Sequence, residues 1–347
     1  MDLLGYDNGG RTHVYFKIQN EEVQMKSQAY ALAVLAAFGI TLSATSAAQQ
    51  WPDKTVRILV PFPPGGGTDI QARLLSKSFQ ASTGQNFIIE NRTGASGLIA
   101  TQITVESPPD GNTILFTSGS IAPVTTLLAK SIKFDMFKDL QPVCLISSTP
   151  LVLSLHPSVP VKSVKELIAL AKRTKQTMNV GGNSAGTTAH LAAEMFNQRF
   201  GLKSTVVTYR GGGPAVIALI SGEIDYIFAT APSVMPHLKS GRAKAFAVTT
   251  NKRSAALPDL PTMDSMYPGF VAYNWYAMFF PKGTPRPIVD KLNSEIKKAL
   301  GTTEVKNFFP RQALDAVGGS PEELASFFKE EVDKYAKVIK AANIHIE

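Results

Sequence analysis

Three times along this chain a short apolar run stops at a glycine cluster and passes at once into a helical pattern. The first is Val60-Pro61-Phe62-Pro63-Pro64-Gly65-Gly66-Gly67-Thr68-Asp69. The second is Val180-Gly181-Gly182-Asn183-Ser184-Ala185-Gly186-Thr187-Thr188-Ala189-His190, and the third is Tyr209-Arg210-Gly211-Gly212-Gly213-Pro214-Ala215. Glycine lets a backbone approach a ligand closely, and the unpaired amides and dipole of a helix start favour an anion. Three such junctions in one chain point to a cleft lined by backbone amides rather than to a cluster of catalytic side chains. No Gly-Lys-Ser/Thr follows the first glycines, so it is not a P-loop, and none of the three is a dinucleotide fingerprint.

Strand and helix signals alternate around these junctions. Thr55 to Pro61, Phe87 to Ile89, Thr113 to Phe116, Leu151 to Leu155, Met178 to Val180, Ser204 to Tyr209, Tyr226 to Phe228 and Ala245 to Thr249 read as strands. Ile70, Leu74, Leu75 and Phe79 mark one helical face. Ser163-Val164-Lys165-Glu166 and Ser320-Pro321-Glu322-Glu323 have the form of capping boxes, and Thr284-Pro285 reads as another helix start. Strands separated by helices predict an α/β fold with parallel βαβ units and a ligand at the carboxyl ends of the strands.

With 44% hydrophobic and 18% charged residues, the chain has the material for a large core and is not a disordered segment. The net charge of +8 is spread over many helices without a Lys/Arg run interleaved with aromatics, which disfavours nucleic acid as a partner. A single cysteine, Cys144, excludes an internal disulfide framework and a cysteine-rich metal centre, and five scattered histidines leave no His cluster. No metal site and no cofactor are expected.

The first 48 residues read as a leader. Met25-Lys26, the apolar stretch Ala29 to Leu42 and the small residues Ser46-Ala47-Ala48 form a secretory signal over 25–48, with cleavage near Ala48. Its apolar stretch is shorter than the roughly 20 residues that span a bilayer. Residues 1–24, with Glu21 and Glu22 where a signal is basic, read as an extension upstream of the true start. A lone cysteine fits export to an oxidising compartment.

Catalytic signals are weak. Ser184 and His190 could act as nucleophile and base of a secreted hydrolase, yet no Gly-x-Ser-x-Gly elbow is present. Asp225 opens a buried-looking strand, where capping of a turn competes with a role at the cleft. Tyr273, Trp275 and Tyr276 read as packing residues.

Taken in order, these segments resemble the tripartite tricarboxylate transporter substrate-binding proteins, the TctC or Bug family of periplasmic receptors. The resemblance covers residues 51–347 and rests on six segments. Trp51-Pro52, the glycine-rich stretch from Pro61 to Asp69, and Pro109-Asp110-Gly111-Asn112-Thr113 come first. Gly186-Thr187-Thr188-Ala189-His190-Leu191, the stretch from Tyr209 to Ala215, and Gly222-Glu223-Ile224-Asp225 complete them.

The resemblance implies a two-lobed periplasmic-binding-protein fold of the Venus-flytrap, type II-like kind, with a ligand cleft between the lobes. Lobe 1 would take 49–145 and 251–347, and lobe 2 would take 146–250. The ligand would be a small organic acid, meaning a di- or tricarboxylate, an amino acid or an aromatic acid. The implied ligand-binding residues are Gly66, Gly67, Thr68, Asp69, Ser118, Ser184, Gly186, Thr187, Thr188, His190 and Asp225. The implied partners are membrane transporter subunits, with the receptor acting as a periplasmic, non-enzymatic monomer. An orphan receptor serving a signalling system is a further alternative. Where the family often carries Asn-Pro after the third strand, this chain has Ala122-Pro123.

Overall fold

The first strand, β1 (Val56–Val60), is apolar at every position but Arg57 because both of its faces are covered. The computed structural model describes residues 51–123, 132–174 and 177–342. The expected leader lies outside these residues, as does the side chain of Ala122. After β1 come α1 (Gly67–Thr83), β2 (Phe87–Asn91), α2 (Leu98–Val105), β3 (Thr113–Ser118) and the long β4 (Leu140–Leu155). Next are α3 (Val164–Arg173), β5 (Asn179–Gly182), α4 (Thr188–Phe200), β6 (Thr205–Thr208), α5 (Gly212–Ser221), β7 (Tyr226–Thr230), α6 (Ala231–Lys239) and β8 (Lys244–Val248). The chain continues through β9 (Tyr273–Pro281), α7 (Arg286–Gly301), α8 (Thr303–Arg311), β10 (Asp315–Ala316) and α9 (Pro321–Ala342).

The strands run in the order β2-β1-β3-β9-β4-β7-β5-β6, with β10 and β8 also paired to β4. The expected parallel units are present: β1 lies parallel to β2 and β3, and β5 parallel to β6 and β7. The strands between them depart from that expectation. β9 pairs antiparallel with β3 and β4, and β4 pairs antiparallel with β7 and β8. β4 changes partners along its length. Residues up to Pro150 pair with β9, whereas Leu151–Leu155 pair with β7.

Side chains alternate across the first group of strands. Ile58, Val60 and Ile114 pack with Leu75 and Phe79 of α1 and with Leu292 and Ile296 of α7. Leu59, Leu115 and Phe279 face the other way, against Leu324 and Phe328 of α9. In the second group, Leu153 and Phe228 pack with Phe196 of α4, and Val152 and Ile227 with Val216 of α5 and Val234 of α6. Each such side chain contributes about 1.5–3 kcal/mol when fully buried. Cys144 is buried among the first set, and burial pushes its thiol up to about 12.

Two segments pass between the strand groups at one point, and Thr249 ties them together. Its amide donates to Leu151 O (2.9 Å), its Oγ1 bonds Leu151 N (3.1 Å) and Ala272 O, and its carbonyl accepts from Ala272 N (3.0 Å). The last helix is a third link. Leu324, Phe328 and Val332 pack on β9, while Tyr335 and Ile339 pack on Leu191 of α4.

Glu295 of α7 sits buried against α1, where it accepts from Ser82 Oγ (2.5 Å), Lys291 Nζ (3.0 Å) and Lys298 Nζ (2.9 Å). Burial raises its pKa, but these partners outweigh burial and hold it at about 2. Glu90, bonded first to Arg57 and then to Arg92, is also held at about 2. Both carboxyls bind protons less readily folded than unfolded, so their stabilisation is full above about pH 4.5 and disappears as pH falls towards 2. Thermal unfolding followed by circular dichroism from pH 7 to 2 is expected to show that loss. Glu295→Gln should cost about 1–3 kcal/mol at pH 7 and flatten the acid slope.

Candidate functional site

Four strands deliver four helix starts to one place. β1 leads into α1, β5 into α4, β6 into α5 and β7 into α6, each at the strand's carboxyl end. The residues preceding these helices, Gly66, Thr187, Gly211 and Thr230, make no side-chain bond to a first-turn amide; the Thr230 hydroxyl meets Ser233 Oγ instead (3.0 Å). Helices elsewhere are treated differently. Ser163, Thr262 and Thr302 accept from the first turns they cap, and Ser320 accepts from Glu323 N. Uncapped helices also begin at Leu98 and Arg286, outside this site. An uncapped first turn keeps its amides available and carries the positive end of the helix dipole.

The four starts surround a cavity of about 430 Å³. Residues 62–68 and 210–214 line it, together with Asn183, Ser184 and 187–189 of the second glycine junction. Ser118 and Ser120 join from the end of β3, Thr230 and Ser233 from the end of β7, and Asn274 and Tyr276 from β9. Leu151, at the point where β4 changes partners, also lines it. Arg210 is the cation of the lining and forms no ion pair among the described residues. No carboxylate belongs to the lining, so the local electrostatics favour an anion.

The first loop is held from beneath. Asp69 is 2% exposed, and its carboxylate accepts from Gly65 N (2.9 Å), Arg73 Nε (3.0 Å) and Asn91 Nδ2 (3.0 Å). Asn91 Nδ2 also donates to Phe62 O (2.9 Å). Burial pushes the Asp69 pKa up, but Arg73, Gly65 N–H and Asn91 together bring it below the usual carboxylate range. Gln71 is fully buried and connects the loop to β4, donating to Gly67 O (3.1 Å) and accepting from Ser147 Oγ (2.6 Å). Gly65 has φ +81°, a conformation that favours glycine. A Cβ on Gly67 would stand 2.6 Å from Tyr276 Oη.

The second loop is braced by His190. Its Nδ1 accepts from Gly186 N (2.8 Å), and its Nε2 lies 3.8 Å from Glu194 Oε1. Ser184 gives its carbonyl to Thr187 Oγ1 (2.7 Å). Thr188 is 1% exposed, and its Oγ1 has no hydrogen-bond partner among the described residues; the same holds for Asn183 Oδ1.

A model of the tripartite tricarboxylate transporter family receptor matches residues 71–344. The chain belongs to this receptor family. Members are periplasmic binding proteins that work with tripartite transporters. BugT of Bordetella pertussis is 36% identical to this receptor over 314 residues, 89% of this chain and 96% of that protein. Rpa4515 of R. palustris, solved with adipate, superimposes with a TM-score of 0.80 at 33% identity, covering 85% of this chain and 99% of the other. MatC of Rhodopseudomonas palustris, solved with malate, gives 0.77 at 29% identity, over 83% and 100%. The receptor thus has the two-lobed α/β solute-binding fold, and no helix of its described residues is long and apolar enough to cross a membrane.

Of the residues expected to bind ligand, Gly66, Gly67, Thr68, Ser118, Ser184, Thr187 and Thr188 line the cavity of this receptor. Asp69, Gly186 and His190 lie behind it and hold the loops. Asp225 sits at the other end of β7 from the cavity-lining Thr230. There its carboxylate accepts from Asn179 N (2.7 Å) and its carbonyl from His156 N (2.9 Å). Other family-like segments are structural as well. Trp51 Nε1 donates to Gly111 O (3.0 Å), which joins the first segment of the resemblance to the third.

Arg210, Asn183, Asn274 and Tyr276 line the cavity without being among the residues expected to bind ligand. Arg210 stands beside the third glycine cluster, which was a usable signal. Asn274 and Tyr276 flank Trp275 at a two-residue spacing, which in a strand puts them on one face. The packing role read for the three aromatics holds: Trp275 packs against Phe327 and Phe328 with Nε1 donating to Glu331 Oε2 (3.2 Å), Tyr273 stacks on Phe327, and Tyr276 packs against Phe116 while also lining the cavity.

Proposed function

We propose that this receptor captures a small organic acid in the cavity and hands it to the membrane subunits of a tripartite transporter. The observation that carries this reading is the convergence of four uncapped helix starts and Arg210 on a lining without a carboxylate. The acid's carboxylate takes the amides of α1 and α4, with Gly66, Gly67, Thr68, Ser184, Thr187 and Thr188 around it. The adipate and malate held by the two Rhodopseudomonas relatives support this class of ligand.

Lobes over 49–145 with 251–347 and over 146–250 would then close on the ligand, bending where Thr249 ties Leu151 to Ala272. Closure follows only if the ligand touches both lobes, because a ligand bound equally by open and closed forms shifts nothing. The chain works as an exported monomer after cleavage near Ala48.

It is not an enzyme. A Ser184–His190 dyad needs a free imidazole nitrogen facing the hydroxyl, yet Nδ1 is taken by Gly186 N–H and Nε2 faces Glu194. A thermal-shift screen of di-, tri-, amino and aromatic acids against residues 49–347 tests the reading. At least one acid is expected to raise the melting temperature in proportion to the logarithm of its concentration, without turnover of ester or amide substrates. Turnover lost in His190→Ala, or no stabilisation by any acid, would overturn it.

A further inference from the structure

Asn274 and Tyr276 reach the cavity from β9, outside both the glycine loops and the helix starts. They share one face of β9, while Trp275 between them points to the opposite side and packs under α9. Asn274 is 5% exposed and Tyr276 3%, yet both line the cavity. Asn274 Oδ1 has no hydrogen-bond partner among the described residues. Tyr276 Oη stands beside Gly67, within 2.6 Å of where a Cβ would sit, and so next to the first amides of α1. We propose that Asn274 and Tyr276 form a specificity subsite for a hydroxyl group close to the bound carboxylate, so that the solute is a 2- or 3-hydroxy acid.

The inference rests on the carboxylate reading above, and its content comes from hydrogen-bond accounting. Burial raises the Tyr276 phenol to about 12 against a hydrogen bond from Asn274, so it is a protonated donor at neutral pH. Nothing among the described residues donates to Asn274 Oδ1, which leaves it for the solute. A buried carbonyl oxygen left unpaired is costly, so Oδ1 calls for a donor. A methylene supplies none, and a second carboxylate would set oxygen against oxygen. An ammonium donates to Oδ1 but cannot accept the Tyr276 proton. A hydroxyl does both, donating to Asn274 Oδ1 and accepting from Tyr276 Oη. Because Oη adjoins the α1 amides, that hydroxyl belongs one or two carbons from the carboxylate.

Isothermal titration with three acid pairs that differ by one hydroxyl tests this: lactate and propionate, malate and succinate, 3-hydroxybutyrate and butyrate. In the wild type the hydroxy member of at least one pair is expected to bind about ten- to a hundredfold more tightly. Asn274→Leu should bring the two members of that pair close to equal by weakening the hydroxy acid alone, and Tyr276→Phe should reduce the same ratio. A general loss of structure would weaken both members together, so the ratio is the decisive quantity. Equal affinity within every pair overturns the inference while leaving a carboxylate receptor in place. Preservation of the wild-type ratio in both variants overturns it too. If none of the six acids binds, it falls as well, and the wider thermal-shift screen then decides the carboxylate reading separately.

Discussion

Gly67→Val is expected to abolish acid binding while the chain still folds. Gly67 is the first residue of α1, so its amide is among those the helix leaves unpaired. A Cβ there would meet Tyr276 Oη at 2.6 Å, and Tyr276 is buried in a central strand where it has little room to retreat. The loop must move away from β9 instead, carrying its amides out of register with the ligand. Overpacking of this kind costs about 1–3 kcal/mol in stability. Loss of the aligned amides should lower affinity by at least about a hundredfold, since each 1.4 kcal/mol is tenfold. Titration of the variant with the acid that most stabilises the wild type measures this. The neighbouring Gly66→Ala is the control: its Cβ would meet only Pro63 O, at 3.5 Å, and stability should stay near wild type.

Asp69→Ala should damage both stability and binding. The carboxylate it removes accepts from Gly65 N, Arg73 and Asn91, and Asn91 in turn holds Phe62 O. Arg73 is half exposed and can turn to water, which limits the penalty. Gly65 is exposed and Asn91 half-buried, so their freed amides also reach water in part, and the expected cost is about 1–3 kcal/mol. Because the folded pKa of Asp69 lies below its unfolded value, this contribution is present at neutral pH and is lost as pH falls through the folded pKa. The destabilisation caused by Asp69→Ala, read from urea unfolding, should therefore shrink in acid. Affinity should fall about tenfold or more as the loop over 62–68 loosens. Unchanged affinity would show that Asp69 does not position the loop.

The parallel units were legible because their strands are apolar runs that stop at glycine or proline and feed a helix directly. β1, β3 and β5 end at or beside such residues, while β7 runs straight into α6, which carries Pro232 in its first turn. β4 was not legible at its full length, since Pro142, Ser147, Ser148, Thr149 and Pro150 break any apolar or alternating pattern. Its pairing with β9 and Thr249 supplies what the local sequence lacks. The box at Ser320 forms in both directions, with Glu323 N donating to Ser320 Oγ and Ser320 N to Glu323 Oε2. Thr284 does not cap: Pro285 precedes α7 directly, and the Thr284 hydroxyl donates to Pro281 O.

The glycine loops of the site could be read from composition alone, because a close backbone approach needs glycine wherever it occurs. Asp69, His190 and Asp225 could not be separated from ligand-binding residues, because a polar side chain beside a glycine loop looks the same whether it faces the cavity or braces the loop from behind. Asn274 and Tyr276 come from a strand distant in sequence from every loop, and only the pairing of β9 with β3 and β4 brings them to the cavity.

The central claim is that helix-start amides grip a carboxylate, and comparing an acid with its own methyl ester tests it most directly. The acid chosen is the one that stabilises the wild type most, and both compounds are titrated calorimetrically into residues 49–347. The acid is expected to bind at one site per chain and the ester at least about a hundredfold more weakly, because esterification removes the charge that the amides and dipoles recognise. Equal affinity for acid and ester would contradict the claim.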